Sequence, residues 1–184
     1  AIEADQLFVH LFPAPGDCST YIVQLVAAIS DIYLRDLNMR LSLDFVRLWP
    51  VGGEPFSPAS LSGFADYWIN NEDPTPFNFI HMLSGNRTTS YAGVAYVGGT
   101  CDVGFSTYGI SGFLNGVFAS PVGPPNLLNW DVIVPAHEMG HNAGTYHTHD
   151  GYTPTIDDCG NGIHSRGTIM SYCHTTIGGV RNTD

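Results

Sequence analysis

Charge is scarce in this sequence, and positive charge is scarcer still. Charged residues make up 12% of the 184 positions, with 6 Lys or Arg against 17 Asp or Glu and a formal net charge of −11. A field of that sign repels nucleic acid and anionic membrane surfaces and favours cationic partners. Apolar runs are short: none approaches the roughly 20 residues of a membrane span, so no membrane insertion is expected. Cysteine is sparse as well. Cys18, Cys101, Cys159 and Cys173 form no C-x-x-C pair, which argues against a thiolate zinc knuckle or a thioredoxin-type site. An even, widely spaced set fits two disulfides and an oxidising compartment, with reduced, buried thiols as the other reading. No signal peptide is present and the chain opens on Ala1 rather than Met, as expected of a processed, secreted domain whose signal or pro-segment has been removed. There is no internal repeat and no linker that would divide the chain.

Hydrophobic residues, at 43%, and aromatics, at 12%, suffice for a core, and the length is that of about one domain. Residues 19–38 place Ile22, Leu25, Val26, Ile29, Ile32, Tyr33 and Leu37 at helical spacing, with Ser19 or Thr20 as N-cap. Over 41–48, Leu41, Leu43 and Phe45 alternate with Ser42 and Asp44, the period of a strand. Gly and Pro make 52–58 a loop. Leu61, Phe64, Ala65, Trp68 and Ile69 share one face of a second helix. The short apolar run 77–83 predicts a strand, and 92–101 predicts another, ended by Gly98 and Gly99. Residues 102–128, rich in Gly, Pro, Ser and Asn, predict irregular chain with one short strand near Gly116–Ala119. A third helix is expected to begin near Asp131, which leaves Pro135 about one turn in, where its missing N–H is tolerated. Loop follows Gly144 as far as Met170. Interspersed helices and strands point to an α/β or α+β domain.

Three of the eight histidines stand within one short segment, HEMGHNAGTYH at 137–147. On a helix, residues four apart lie on one face, so His137 and His141 can direct two imidazoles at a single ion. Glu138, one step around, borders the space in front of that ion and can accept a proton from a water the ion activates. A catalytic zinc usually takes three protein ligands and leaves a fourth position open. Gly144 can end the helix in a left-handed conformation and return the chain so that His147 becomes the third ligand. His149, also beyond the turn, is the alternative. H-E-x-x-H alone is a modest signal, whereas H-E-x-x-H-x-x-G-x-x-H fixes five positions.

With all five positions matched, the chain resembles the metzincin zinc endopeptidases, and GVAYVGGTC at 93–101 resembles the edge strand and turn of their adamalysin, or reprolysin-like, branch. The resemblance covers most of the chain and is strongest at 92–101, 130–147 and 167–173. It implies a single α/β (α+β) metzincin-like domain. That fold has a twisted mixed sheet with an antiparallel edge strand, a long active-site helix, and an irregular C-terminal subdomain containing a methionine turn. The N-terminal subdomain would be 1–144 and the C-terminal one 145–184, the latter stopping short of the helix that metzincins normally have there. In GTIMSYC at 167–173, Met170 would form the apolar floor beneath the ligand imidazoles without binding the metal. An edge strand can accept an extended peptide as one more antiparallel strand. By resemblance, Gly93, Val94, Ala95 and Tyr96 would hold the substrate in that way.

Two departures stand out. Adamalysins usually carry Asp directly after the third histidine, where this chain has Thr148, with Asp150 two places on. They also tend to have proline soon after the methionine. Here Tyr172 stands in a segment similar to the turn of astacins and serralysins, where the tyrosine approaches the zinc and stabilises the oxyanion. An ordinary packed tyrosine is the other reading.

The expected function is therefore a secreted zinc endopeptidase, acting as a monomer on protein or peptide substrates in extended conformation, with Glu138 as general base. A catalytically inert extracellular binding domain that keeps the fold is the alternative, although such relatives commonly lose the glutamate or a ligand. A zinc hydrolase acting on something other than peptides is a third. Asp150, Asp157 and Asp158 could hold calcium, although no calcium-loop motif is present and a solvated acidic loop is the plainer reading. Cys159 and Cys173 bracket the approach to the methionine turn and are expected to pair, leaving Cys18 with Cys101, although four cysteines allow three pairings. His10, His81, His164 and His174 are scattered and receive no metal. Asn86-Arg87-Thr88 is a glycosylation sequon.

Overall fold

The computed structural model describes residues 1–100, 107–123, 126–157, 159, 167–176 and 179–183. In chain order the elements are β1 (Ile2–Ala4), α1 (Gln6–Val9), α2 (Pro15–Leu37), β2 (Val46–Leu48), α3 (Leu61–Asn71), β3 (Ile80–Leu83), β4 (Gly93–Ala95), β5 (Tyr108–Ser111) and α4 (Trp130–Asn142). Short 3-10 turns occupy Leu127–Asn129, Cys173–Thr175 and Gly179–Asn182. The strands form one mixed sheet in the order β2-β1-β3-β5-β4; all neighbours pair in parallel except β4, which runs antiparallel to β5 at the edge. This is the α/β architecture with an antiparallel edge strand that the sequence led us to expect.

Helices cover both faces, as parallel strands require. On one face Ile22, Leu25 and Ile29 of α2 meet Val132, Ala136 and Met139 of α4 over Ile2, Ala4 and Leu83 of the sheet. On the other, Phe64, Ala65 and Trp68 of α3 pack on Ile80, Met82, Tyr108 and Ile110. Two tyrosines of α2 also position α4. Tyr33 donates its hydroxyl to the Ala136 carbonyl at 2.6 Å, and Tyr21 donates to the Asp131 carboxylate at 2.7 Å. Asp131 is fully buried and further accepts the backbone N–H groups of Asn115 and Gly116. The segment expected to form a strand near Gly116–Ala119 is instead an irregular turn that wraps this carboxylate.

Other boundaries moved for identifiable reasons. α2 begins at Pro15, four residues ahead of Ser19, because proline at the first helical position brings a preset φ and omits an N–H that would go unpaired there anyway. It ends on Asn38, whose φ of 53° lets its N–H close on the Leu34 carbonyl. The 41–48 alternation is present as burial, with Leu41 and Leu43 packed against the core, but only Val46–Leu48 pairs in the sheet. Strand β5 lies in the stretch expected to be irregular. Its sequence YGIS carries Gly109 opposite His81, whose ring fills the space a Cβ would occupy. His81 is itself fully buried, 2.8 Å from the Ser111 hydroxyl, and burial lowers its pKa to about 3, so the ring is neutral.

Of the two expected disulfides, Cys159–Cys173 is present, with Cα atoms 4.8 Å apart. The second must be corrected. Cys18 is a free thiol, turned by α2 into the apolar core, where burial pushes its pKa up to about 12. Its expected partner, Cys101, lies outside the described residues, as do Asp158 and His164.

Candidate metal centre and cleft

The three motif histidines converge. His137 and His141 lie one turn apart on α4, with ring centroids 4.7 Å from each other. After Asn142 the helix closes with Gly144 N–H on the His141 carbonyl and Thr145 N–H on the Gly140 carbonyl. Gly144 takes φ of +97° with open space around it, so conformation rather than crowding is what requires a glycine there. The reversal brings Nε2 of His147 to 3.0 Å from Nε2 of His141 and its ring to 5.2 Å from that of His137.

The outer nitrogens set the chemistry of the inner ones. His137 Nδ1 donates to the Ile169 carbonyl at 2.7 Å and His141 Nδ1 to the Thr145 carbonyl at 2.8 Å. A carbonyl can only accept, so both Nδ1 atoms carry a proton, which in the neutral ring leaves the Nε2 lone pair for the shared point. Burial lowers the pKa of His137 to about 3; burial, with His141 and His149 alongside, also lowers that of His147 against the opposing pull of Asp150. Neutral imidazole is the form that binds a metal. Three imidazole donors with ligand atoms within 4.8 Å of one another suit zinc with one position open.

Met170 packs against α4 at Gly140, a position the motif leaves unspecified. A Cβ at Gly140 would overlap the Met170 sulfur, so glycine lets the thioether close on α4. The methionine turn is tied on both sides: Ile169 orients His137, and the Met170 carbonyl accepts the Thr148 N–H at 3.1 Å. Gly93 performs the same service for Glu138, since a Cβ there would fall on the Glu138 carboxylate. Glu138 is 5% exposed, and burial alone pushes its carboxyl up to about 8.

Strand β4 forms one wall. Ala92 accepts from Gly112 N–H and Tyr96 N–H donates to Tyr108, so the even-numbered residues direct their backbone at β5. By the two-residue period of an antiparallel ladder, Gly93 and Ala95 direct theirs outward from the sheet edge. The strand is secured to the end of α4: Asn142 Nδ2 donates to the carbonyls of Tyr96 and Tyr108, and Gly98 N–H to that of His141. A cavity of about 330 Å³ opens beside Glu138, bounded by Tyr91, Gly93, Trp130, Ile133, Val134 and His174. Tyr172, 43% exposed, stands at its rim, with its ring centred 4.5 Å from that of His147 and 4.5 Å from that of His149.

His149 stacks on His147 and Tyr172 rather than joining the triad. It forms a second group with His147 and the exposed Asp150, whose carboxylate is 3.6 Å from each imidazole, but that group shares His147 with the triad. Asp157, once a calcium candidate, has Oδ2 engaged by the Thr148 hydroxyl and by the N–H and hydroxyl of Thr168. These bonds hold it below the usual carboxylate range although partial burial acts the other way. His174 packs edge-on against Trp130, and His10 is exposed. Asn86 Oδ1 accepts from the N–H and hydroxyl of Thr88 within the sequon.

Among known families, the sequence profile described as Reprolysin_5, metallo-peptidase family M12, matches residues 1–183. No curated protein matches. One solved structure, described as "Structure of a chaperone-substrate complex", aligns with a TM-score of 0.52 and 15% identity over 83% of this chain and 24% of that one. This chain thus spans about a quarter of the other, and the likeness is one of fold.

Proposed function

Because the chain belongs to metallo-peptidase family M12, we propose that it is a secreted zinc endopeptidase whose cleft lies between β4 and the triad. The observation that carries this reading is the convergence of three imidazoles beside a buried carboxylate. His137, His141 and His147 would hold the ion. Zinc there supplies Lewis acidity toward a carbonyl oxygen and toward water.

The chain's own groups account for the rest. An extended peptide pairs with the outward backbone groups of Gly93 and Ala95, in register between Gly93 and Tyr96, and its scissile carbonyl lies against the triad. Glu138 accepts a proton from the attacking water and delivers it to the leaving amine. A positive charge nearby favours its ionised form, reversing what burial alone does. Tyr172, whose ring lies beside that of His147, would donate to the carbonyl oxygen as charge develops there. The cavity walled by Trp130, Ile133 and Val134 selects an apolar side chain next to the scissile bond. The Cys159–Cys173 bridge supports an oxidising compartment, and no helix among the described residues is long and apolar enough to cross a membrane.

Peptide cleavage by purified protein is expected to be abolished by a chelator, restored by one equivalent of zinc, and fastest on library peptides with an apolar residue beside the cut. Zinc-loaded, folded protein that cleaves no peptide would instead support the inert binding domain. Gly93→Ala makes a sharper test. The added methyl must displace the Glu138 carboxylate, and a misplacement of about 1 Å can cost up to about 10²-fold in kcat/KM. Zinc content should remain stoichiometric. Unchanged activity in that variant would remove Glu138 from its assigned place under the strand.

A further inference from the structure

Thr148, where the resemblance leads one to expect an aspartate, sits at the junction of three segments. Its N–H donates to the Met170 carbonyl at 3.1 Å, and its carbonyl accepts from Ile156 and Asp157, both at 3.0 Å. Its hydroxyl donates to Asp157 Oδ2 at 2.6 Å. The same oxygen accepts the Thr168 N–H and the Thr168 hydroxyl, both at 2.9 Å. One carboxylate oxygen thus joins residues 148 and 168, which are 20 positions apart in the chain. Each of these two residues adjoins a part of the metal centre. Thr148 directly follows His147, and Thr168 directly precedes Ile169, whose carbonyl orients His137. The Thr168 carbonyl also accepts the N–H and hydroxyl of Ser171, which closes the turn around Met170.

We infer that Asp157 is a positioning residue for the metal centre, its carboxylate fixing through Thr148 and Thr168 the spacing between the third histidine and the turn that orients the first. Position 148 carries a hydroxyl and no carboxylate, and Asp157, nine positions further along, supplies one with the Thr148 hydroxyl as its contact. Asp157 touches neither substrate nor ion. The argument is geometric: Asp157 is the one acidic group among the described residues that hydrogen-bonds to both segments. Thr148 is 8% exposed, so water is poorly placed to replace the lost partner. The inference rests on the reading of the triad as a zinc site.

Its test is zinc affinity, measured by competition with a chromophoric chelator, beside thermal melting of the metal-free proteins. Partners that orient metal ligands typically contribute about 10- to 100-fold in affinity, and Asp157→Asn should lose an amount of that order. Thr148→Val keeps the shape and the backbone bonds but removes the hydroxyl, and should weaken binding in the same direction. Thr148→Ser keeps the hydroxyl and should bind as wild type does. The double variant Thr148→Val with Asp157→Asn should be no weaker than Asp157→Asn alone, because both changes cut one link. Wild-type affinity in both Asp157→Asn and Thr148→Val, whatever happens to the metal-free melting temperature, overturns the inference and leaves the zinc site standing. Wild-type protein that takes up no zinc overturns the site itself.

Discussion

Replacing Glu138 by glutamine is expected to lower kcat/KM by about 10² to 10⁴, the usual contribution of a positioned acid-base group, while zinc content stays at one equivalent. Glutamine matches glutamate in shape, so Gly93 still accommodates it and α4 is undisturbed. The two imidazoles of the helix remain aligned, because their orientation comes from the carbonyls of Ile169 and Thr145 and not from residue 138. What disappears is a side chain able to take up a proton and release it. Burial already disfavours the charged form of Glu138 in the metal-free protein, so the neutral amide should leave the metal-free melting temperature no lower than that of wild type. A quenched fluorescent peptide assay with parallel metal analysis reads both quantities. Activity close to wild type with zinc in place would assign the base to another group.

The part of the site that sequence made legible is the part built from local geometry. Helical spacing aligns His137 with His141, and a glycine able to take positive φ returns His147, so covalent distance along one short segment brings three ligands together. Met170 entered for a different reason, as the second motif of a resemblance, and what the fold shows of it is its packing on Gly140. Residues whose job is to leave room were not legible. Gly140 and Gly93 make sense only once Met170 and Glu138 are seen pressing on them from elsewhere in the fold. Asp157 read as one acid among three in a loop, because its partners at 148 and 168 are remote in sequence. In the fold, β1 and β5 escaped the period-two test because they are covered on both faces; a strand so buried shows no alternation, and β5 carries a glycine that strand propensity argues against. Cys18 was assigned by elimination to a bridge, whereas the apolar face of α2 takes it inward as a small hydrophobe.

His147 and His149 are separated by one residue and are chemically identical, so substituting each in turn asks whether geometry decides the ligand. Nε2 of His147 faces Nε2 of His141 at 3.0 Å, while the ring of His149 is stacked against Tyr172. His147→Ala should therefore lose stoichiometric zinc and all measurable peptide cleavage. His149→Ala should keep its zinc and cut peptide at a rate within an order of magnitude of wild type. Stability gives an independent reading, because a ligand that binds only the folded state stabilises it by mass action. Free zinc at about 1,000 times its Kd contributes about 4 kcal/mol, and in a domain of this size each kcal/mol moves the melting temperature by about 2 to 4 °C. Chelation should accordingly lower the melting temperature of wild type and of His149→Ala by about 8 to 16 °C. It should leave His147→Ala where it was, already at the metal-free value. The reverse pattern, with the chelator shift lost in His149→Ala and kept in His147→Ala, would move the third ligand two residues along the chain and take with it the placement of the Thr148 link.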